Sequence, residues 1–495
     1  MFILFLKFMK ILIIHPPWPG PGFGLRSQNR WPRKRGDKTN RYPIYLCYTA
    51  TLLKNKGHNV KYIDSVYQNL NYKSTLIEII KFKPDVLFFE TSTPTFDYDC
   101  SFVDMVKKRI PNLKIVVAGT HVTFDPIGSI KKSKIDVVIK GEQDFTTLNV
   151  MNAFKNSKSL KNIKGICYKY KNKIINNPQA PLIKDLDSLP FPDRDLIPHQ
   201  WYIEGHVKYT PFTFVMGSRG CPNKCTFCLW PHVYYNHTVR FRSPVNICDE
   251  LEWLIKKYGI KEVFFDDSTF NVNEKRAIDI SKEIIKRDIK IVWSCSARVD
   301  KVSKEMLYWM KKSGCKLICY GGESANPETL KKTDKKITLE QIRKAIKLTK
   351  ESKIIAHANF MIGFPWETKK DMEKTIEFGI KTDPDTIQFS LVFPHPGSKM
   401  YKEAVEKEWF YEEVFDHMDM FDMTKGPILK TKIPKKELMK IVNKSHAKFF
   451  LRPNYILKNI YKIRDKKELF RVLKGAKSVI KGKILFNIFK KNKLN

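Results

Sequence analysis

The 495 residues carry 90 Lys or Arg against 51 Asp or Glu, a net charge of +39, with 42% hydrophobic and 13% aromatic content and a mean hydropathy of −0.37. This balance excludes long disorder and a polytopic membrane protein, and the length accommodates two or three domains of about 100–200 residues each. Ten cysteines are too sparse for a secreted disulfide scaffold, and no cleavable leader precedes them, which points to ligand or structural thiols in a reducing cytoplasm.

The opening segment, MFILFLKFMKILIIHPPWP, is apolar, but Lys7 and Lys10 interrupt it and Pro16, Pro17 and Pro19 close it short of the ~20 residues that span a bilayer. It reads as a buried strand from Lys10 to His15, with Met9 as an alternative start that leaves residues 1–8 untranslated. Strand-like runs at 11–17, 60–65, 85–90, 114–121 and 135–142 alternate with helical stretches near 44–56, 74–82 and 98–109. The alternation predicts an α/β domain over residues 10–150, built on a doubly wound parallel sheet. Its ligand rim, beyond the carboxyl ends of the strands, comprises His15–Trp18, Thr91–Thr95, Gly119–His121 and Gly141–Glu142.

Residues 151–209 break the rhythm with a hairpin, GICYKYKNKIINN, and a Pro- and Asp-rich linker, KDLDSLPFPDRDLIP. Six further strands, at 212–218, 262–269, 289–296, 315–323, 356–365 and 386–394, predict a partial (β/α)6 barrel of the TIM type over residues 210–405, with its chemistry on the carboxyl-end loops. Residues 406–495 read as a basic helical region. Its last 66 residues hold 21 Lys or Arg against three acidic residues, punctuated by apolar positions such as Leu438, Ile441 and Phe449. Such helices attract an anionic membrane surface; a solvated basic face is the alternative, and nucleic acid is disfavoured.

Cys221, Cys225 and Cys228 follow the first barrel strand. Thiolates spaced C-x3-C-x2-C suit three irons of a 4Fe-4S cluster and leave the fourth iron open, whereas a zinc knuckle needs four ligands and His232, His237 and Cys248 lack a paired spacing. On these residues the chain resembles the radical S-adenosylmethionine superfamily, from residue 210 to about 400. The resemblance implies that the three cysteines bind the cluster and that S-adenosylmethionine chelates the open iron. A reduced donor such as flavodoxin or ferredoxin then drives its cleavage to methionine and a 5′-deoxyadenosyl radical. Phe227 is expected near the cluster or the adenine. By the same likeness Gly321, Gly322, Glu323 and Ser324 hold the methionine amino group, Ser296 and Arg298 stand like ribose and carboxylate contacts, and Gly363 resembles an adenine-side motif. Asp266 and Asp267 end the second barrel strand as candidate catalytic carboxylates, with helix capping as the plain alternative. His395, in FPHPGSKMY, is a candidate substrate neighbour.

The amino-terminal sheet, with Gly119, His121, Gly141 and Glu142 on its rim, resembles the cobalamin-binding class of radical enzymes. It departs from the Asp-x-His-x-x-Gly loop that supplies a histidine to cobalt, since YIDSVYQNL follows the second strand. CTFCLWP, RFRSP, FFDDSTF, WSCSAR, FPHPGSKMY and FFLRP narrow the likeness to the hopanoid-biosynthesis-associated radical proteins. The expectation that follows is an enzyme, peripheral at the inner membrane face, that remodels a polar head group of a membrane lipid. The first alternative is cobalamin-dependent radical C-methylation of a lipid or other secondary metabolite. The second is an RNA-modifying enzyme, against which stands the wide scatter of Cys47, Cys100 and Cys167.

Overall fold

A computed structural model describes residues 8–18, 24–27, 40–411 and 428–460. Residues 1–7, most of the segment ahead of the alternative start at Met9, and the basic stretch beyond residue 460 lie outside the described residues. Seven strands build the first sheet: β1 (Lys10–His15), β2 (Asn59–Asp64), β3 (Val86–Thr91), β4 (Lys114–Gly119), β5 (Val137–Ile139), β6 (Ile166–Tyr170) and β7 (Lys173–Asn176), in the order β2-β1-β3-β4-β5-β6-β7. The first five pair in parallel, and the hairpin expected in the linker instead extends the sheet edge antiparallel to β5. Both faces are covered, which is why the strands read as continuous apolar runs. Leu12, Ile14, Leu87, Phe89 and Val117 pack on one side, and Ile11, Ile13, Phe88 and Val116 on the other.

The second body contains β8 (Phe212–Val215), a short antiparallel ribbon of β9 (Ser218–Gly220) and β10 (Val239–Phe241), then β11 (Glu262–Phe265), β12 (Val292–Ala297), β13 (Cys315–Glu323), β14 (Ile355–Ile362) and β15 (Thr386–Leu391). Six of these form an open parallel sheet in the order β15-β14-β13-β12-β11-β8, the partial barrel expected. Its core lies between the strands and their helices: Ala356, Ala358, Phe360 and Ile362 of β14 alternate with half-buried His357, Asn359 and Met361 on the opposite face. The two bodies share a core, because Phe212, Phe214, Met216 and Phe264 pack with Tyr42, Tyr48, Ile197 and Tyr202.

One reading of the basic carboxyl end changes. Leu438, Ile441, Val442 and Phe449 of the helix Lys435–Phe450 are buried in the barrel core, packed beside β15, so this apolar stripe faces protein rather than lipid. Among the described residues no helix is long and apolar enough to cross a membrane.

The bodies are also tied by charge. Arg219 of β9, 1% exposed, donates to Asp144 Oδ2 at 2.5 Å and lies 3.5 Å from Glu142, while Arg240 of β10 donates to Glu142 at 2.6 Å. A buried pair gains little overall, but removing one partner strands the other charge. We expect Arg219→Met to cost about 3–5 kcal/mol in chemical denaturation, much more than Lys54→Met at the exposed pair with Asp193.

Candidate active site between the two sheets

The cysteine loop leaves β9 directly after Arg219 and Gly220 and runs into the helix Leu229–Val233. Its backbone is held from several sides. Thr226 N donates to Thr333 O and Met400 N to Thr226 O, both at 2.9 Å, and the rings of His232 and His237 donate to the carbonyls of Cys225 (3.1 Å) and Asn223 (3.3 Å). These two histidines thus support the loop backbone. Cys225 is buried, Cys221 and Cys228 are half-buried, and Asn223 Nδ2 donates to Cys221 Sγ at 3.2 Å. Burial pushes the Cys225 thiol up, opposed by the charges of Lys335 and Arg298; Arg298 Nη1 lies 3.9 Å from the sulfur. Among the described residues no three His, Cys, Asp or Glu side chains converge as a single-ion site requires; a cluster, which takes one thiolate per iron, asks for no such convergence. Three thiols with two flanking cations are a donor set that fits a 4Fe-4S cluster.

Facing this loop, β13 ends in Gly321, Gly322 and Glu323, where the register to β14 shifts and Glu323 takes the left-handed φ of +63°. The glycines are steric: a Cβ on Gly321 would stand 2.3 Å from Glu323 Oε1, and one on Gly322 would strike the Phe360 ring at 2.8 Å. Glu323 accepts from Lys335 Nζ at 2.7 Å, and both side chains are at most 11% exposed. Burial works against the Lys335 ammonium, but Glu323 and the Cys225 thiol hold it above its usual range. The carbonyl of Lys335 in turn accepts from Arg298 Nη2 at 2.8 Å. Lys335 went unnoticed in the sequence because LKKTDKKIT offers four lysines with nothing to single one out.

Glu367, also unanticipated, joins the next two turns. Its carboxylate accepts from Gly363 N (3.1 Å), Phe364 N (3.3 Å), Thr329 Oγ1 (3.3 Å) and Ser324 Oγ (3.4 Å), and burial pushes it up to about 7. Phe227 packs among Phe364, Val392 and Met400. Ser296 is half-buried on β12, level with Cys319 of β13.

The paired aspartates are engaged by the chain itself, and neither caps a helix. Asp267 accepts from Gly217 N (2.7 Å) and Ser218 Oγ (2.6 Å) beside Arg276, fixing the turn that launches the cysteine loop, while Asp266 pairs with Arg41 at 2.7 Å. His395 packs on Phe393, 4.8 Å between ring centres, and desolvation pushes its imidazole down to about 4, leaving it neutral.

On the first sheet Gly119 has φ +116°, and a Cβ there would stand 2.1 Å from Thr91 O. His121 stacks on Phe96 at 4.0 Å and hydrogen-bonds with Thr93 Oγ1 (3.2 Å). Gly141 N donates to Thr123 Oγ1 at 3.1 Å. Glu142, expected at the ligand, is taken up by Arg240, Arg219 and Ile183 N. A narrow crevice separates this rim from the segment after the cysteine loop, lined by Tyr45, Glu90, Gly119, Gly141, Trp230 and Tyr234. On its walls Trp230 Nε1 is buried without a hydrogen-bond partner, and Glu90 is approached by Ser27 and Gln143. Unmet buried donors and acceptors cost about 1–3 kcal/mol each, and a corrinoid fringed with carboxamides supplies complements to both kinds. The glycine rim and the Trp230 indole suit such a group, while the void between them, about 10 Å3, is the size of a single water.

The models of two families match the chain: the B12 binding domain over residues 38–150 and the radical SAM superfamily over residues 215–379. An uncharacterized methyltransferase of Pyrococcus horikoshii is 34% identical over 92% of this chain and 95% of its own length. The anaerobic magnesium-protoporphyrin IX monomethyl ester cyclase of Rubrivivax gelatinosus is 27% identical over 94% of this chain and 81% of its own. The fold is similar to that of the cobalamin-dependent S-adenosylmethionine radical enzyme OxsB solved with aqua-cobalamin, at TM-score 0.71 and 16% identity, over 95% of this chain and 71% of that one.

The raised carboxyl of Glu367 carries a pH signature. The folded chain keeps its proton up to about 7, whereas an unfolded glutamate releases it near its ordinary value of about 4.5, so its contribution to stability falls as pH rises through that window. We expect wild-type stability relative to Glu367→Gln to drop with pH in this window, by at most about 1.4 kcal/mol per unit, in denaturation curves compared pH by pH.

Proposed function

The chain belongs to the radical SAM superfamily, in the group that carries an amino-terminal B12 binding domain, and from that premise we propose that it is a cobalamin-dependent radical C-methyltransferase. This replaces head-group remodelling as the leading reading, because a relative named as a methyltransferase aligns over nearly the whole of both chains. The observation that carries it is the crevice itself: the rim of the first sheet and the cysteine loop face each other across it, and Trp230 and Tyr234 stand two and six residues beyond Cys228.

When bound, the 4Fe-4S cluster supplies the electron that cleaves S-adenosylmethionine, and cobalamin carries a methyl group. Every other role falls to the chain. Cys221, Cys225 and Cys228 hold three irons. Glu323, held in place by Lys335, accepts the ammonium of S-adenosylmethionine, while Arg298, paired with Asp300, lies beside Cys225. Ser296, Gly321, Gly322, Ser324, Gly363 and Phe227 shape the remaining walls for that ligand. Gly119, His121 and Gly141 form the corrinoid floor. Asp266 and Asp267 act as positioning residues, through Arg41 and through the Gly217–Ser218 turn. On this reading residues 10–150 carry the corrinoid and residues 210–405 the radical chemistry, with a small-molecule or lipid-linked acceptor and a reduced flavodoxin- or ferredoxin-type donor.

The test is anaerobic. Protein reconstituted with iron, sulfide and cobalamin is given dithionite, methyl-labelled S-adenosylmethionine and an extract of metabolites and lipids from its source. We expect label on a carbon of one acceptor, with S-adenosylhomocysteine and 5′-deoxyadenosine both formed, and loss of both products in Cys225→Ala. Nucleoside formed with altered but unlabelled lipids contradicts methyl transfer and restores head-group remodelling.

A further inference from the structure

The inner face of a parallel barrel is ordinarily filled with bulky branched side chains. β12, β14 and β15 depart from that rule. Trp293, Cys295, Ala358, Phe360, Ile387 and Phe389 pack into the core beneath the helices, so the alternation of the strands turns Ser296, His357, Asn359, Thr386, Gln388 and Ser390 to the inside. The registers set Gly321, Asn359 and Gln388 level with one another across β13, β14 and β15. A Cβ on Gly321 would stand 2.3 Å from Glu323 Oε1, so this row adjoins the carboxylate assigned above to the ammonium of S-adenosylmethionine.

The hydrogen bonds of the row fix its amides. The carbonyl of Tyr320 only accepts, so Asn359 Nδ2 faces it at 3.2 Å and Asn359 Oδ1 faces His357 Nε2 at 3.1 Å. Burial pushes the His357 imidazole down, so the neutral ring donates from Nε2 and accepts from Thr386 Oγ1 at Nδ1, 2.8 Å away. This chain of contacts locks the Asn359 amide and leaves it an N–H and a lone pair. Gln388 uses one N–H on Ser390 Oγ at 3.0 Å, and the rest of its half-buried amide is open to a ligand among the described residues. Across the same face Arg41 lies over the rings of Phe214 and Phe264, between Asp266 at 2.7 Å and Glu204 at 2.9 Å. Lys316, lower on β13, pairs with Glu262 at 3.0 Å. Two carboxylates against one guanidinium disfavour a phosphate or carboxylate here, while the amides of β14 and β15 serve hydroxyls and carboxamides.

We propose that the acceptor turns an uncharged, hydroxyl- or carboxamide-bearing group to this face, that Asn359 and Gln388 hold it, and that the reacting carbon lies in or beside that group. The inference rests on the methyltransferase reading above and adds to it a substrate class and two residues that select it. A face built to hydrogen-bond a neutral polar group rejects a hydrocarbon chain, because its amides are then left unpaired.

The experiment supplies the full reconstituted chain with methyl-labelled S-adenosylmethionine and the source extract below saturation. It compares wild type with Gln388→Met, Gln388→Glu and Gln388→Lys, and locates the label by tandem mass spectrometry. Label is expected on a carbon that bears, or adjoins one that bears, a hydroxyl or carboxamide, and all three variants are expected to transfer it about tenfold more slowly. Iron per chain reports on folding, and where a variant fails that control the label position and the other variants decide. Label on a plain hydrocarbon chain, or a Gln388→Met rate within about twofold of wild type, overturns the inference and leaves methyl transfer standing. So does a faster Gln388→Lys, which reveals an anionic acceptor, or a faster Gln388→Glu, which reveals a cationic one. If nucleoside forms without label, methyl transfer fails, and the same variants are compared by the extra 5′-deoxyadenosine that the extract elicits. Loss of that increment in Gln388→Met keeps the uncharged acceptor, and an unchanged increment overturns it. An extract that elicits neither label nor extra nucleoside overturns both readings.

Discussion

The buried guanidinium of Arg219 ties together the two bodies of this protein. Arg219 lies one glycine before the first cysteine of the loop, yet its charge is answered across the boundary by Asp144 and Glu142, at the carboxyl rim of the first sheet. Tyr45 and Tyr48 cover its faces at 5.0 and 5.2 Å. Since a buried charge deprived of its partner is costly, the position of the cysteine loop is set by the first domain as firmly as by the barrel that carries it. On the barrel side Asp267 fixes the turn at Gly217 and Ser218 from below. The loop is therefore gripped at its root from both bodies, and the crevice between them is a consequence.

The same economy of charge organises the mouth of the barrel. Lys335 and Arg298 stand beside Cys225; Lys335 pairs with Glu323 and Arg298 with Asp300 at 2.8 Å, so two carboxylates and two cations balance next to the thiol. The left-handed φ of Glu323 and the two glycines before it accompany the fixed position of this carboxylate. Glu367 then ties the turn bearing Ser324 to the turn bearing Gly363, linking the loops above successive strands.

Much of this was legible in the sequence, for physical reasons. Strands buried on both faces announce themselves as apolar runs, and the C-x3-C-x2-C and Gly-Gly-Glu segments carry spacings with few structural uses. What escaped was of three kinds. β9 and β10 are three residues each, too short for any period to register, although they launch and frame the cysteine loop. Lys335 was hidden by the abundance of lysine, since burial and a 2.7 Å contact with Glu323, rather than residue type, distinguish it. The stripe Leu438, Ile441 and Phe449 looked like a lipid-facing face because amphipathicity states that a helix needs an apolar partner without stating which one, and here β15 provides it. Asp266, Asp267 and Glu142 show the converse: carboxylates at strand ends invite a chemical role, and these three are engaged by arginines and backbone amides of the chain itself.

The central claim is that the two cofactors meet across the crevice between the first sheet and the cysteine loop. Pulsed electron paramagnetic resonance on reconstituted protein, with the cluster reduced and the corrinoid held as cob(II)alamin, tests it directly. The account predicts that each centre broadens and relaxes the other through a strong mutual dipolar coupling. Two independent, uncoupled spectra at full occupancy of both sites would contradict it.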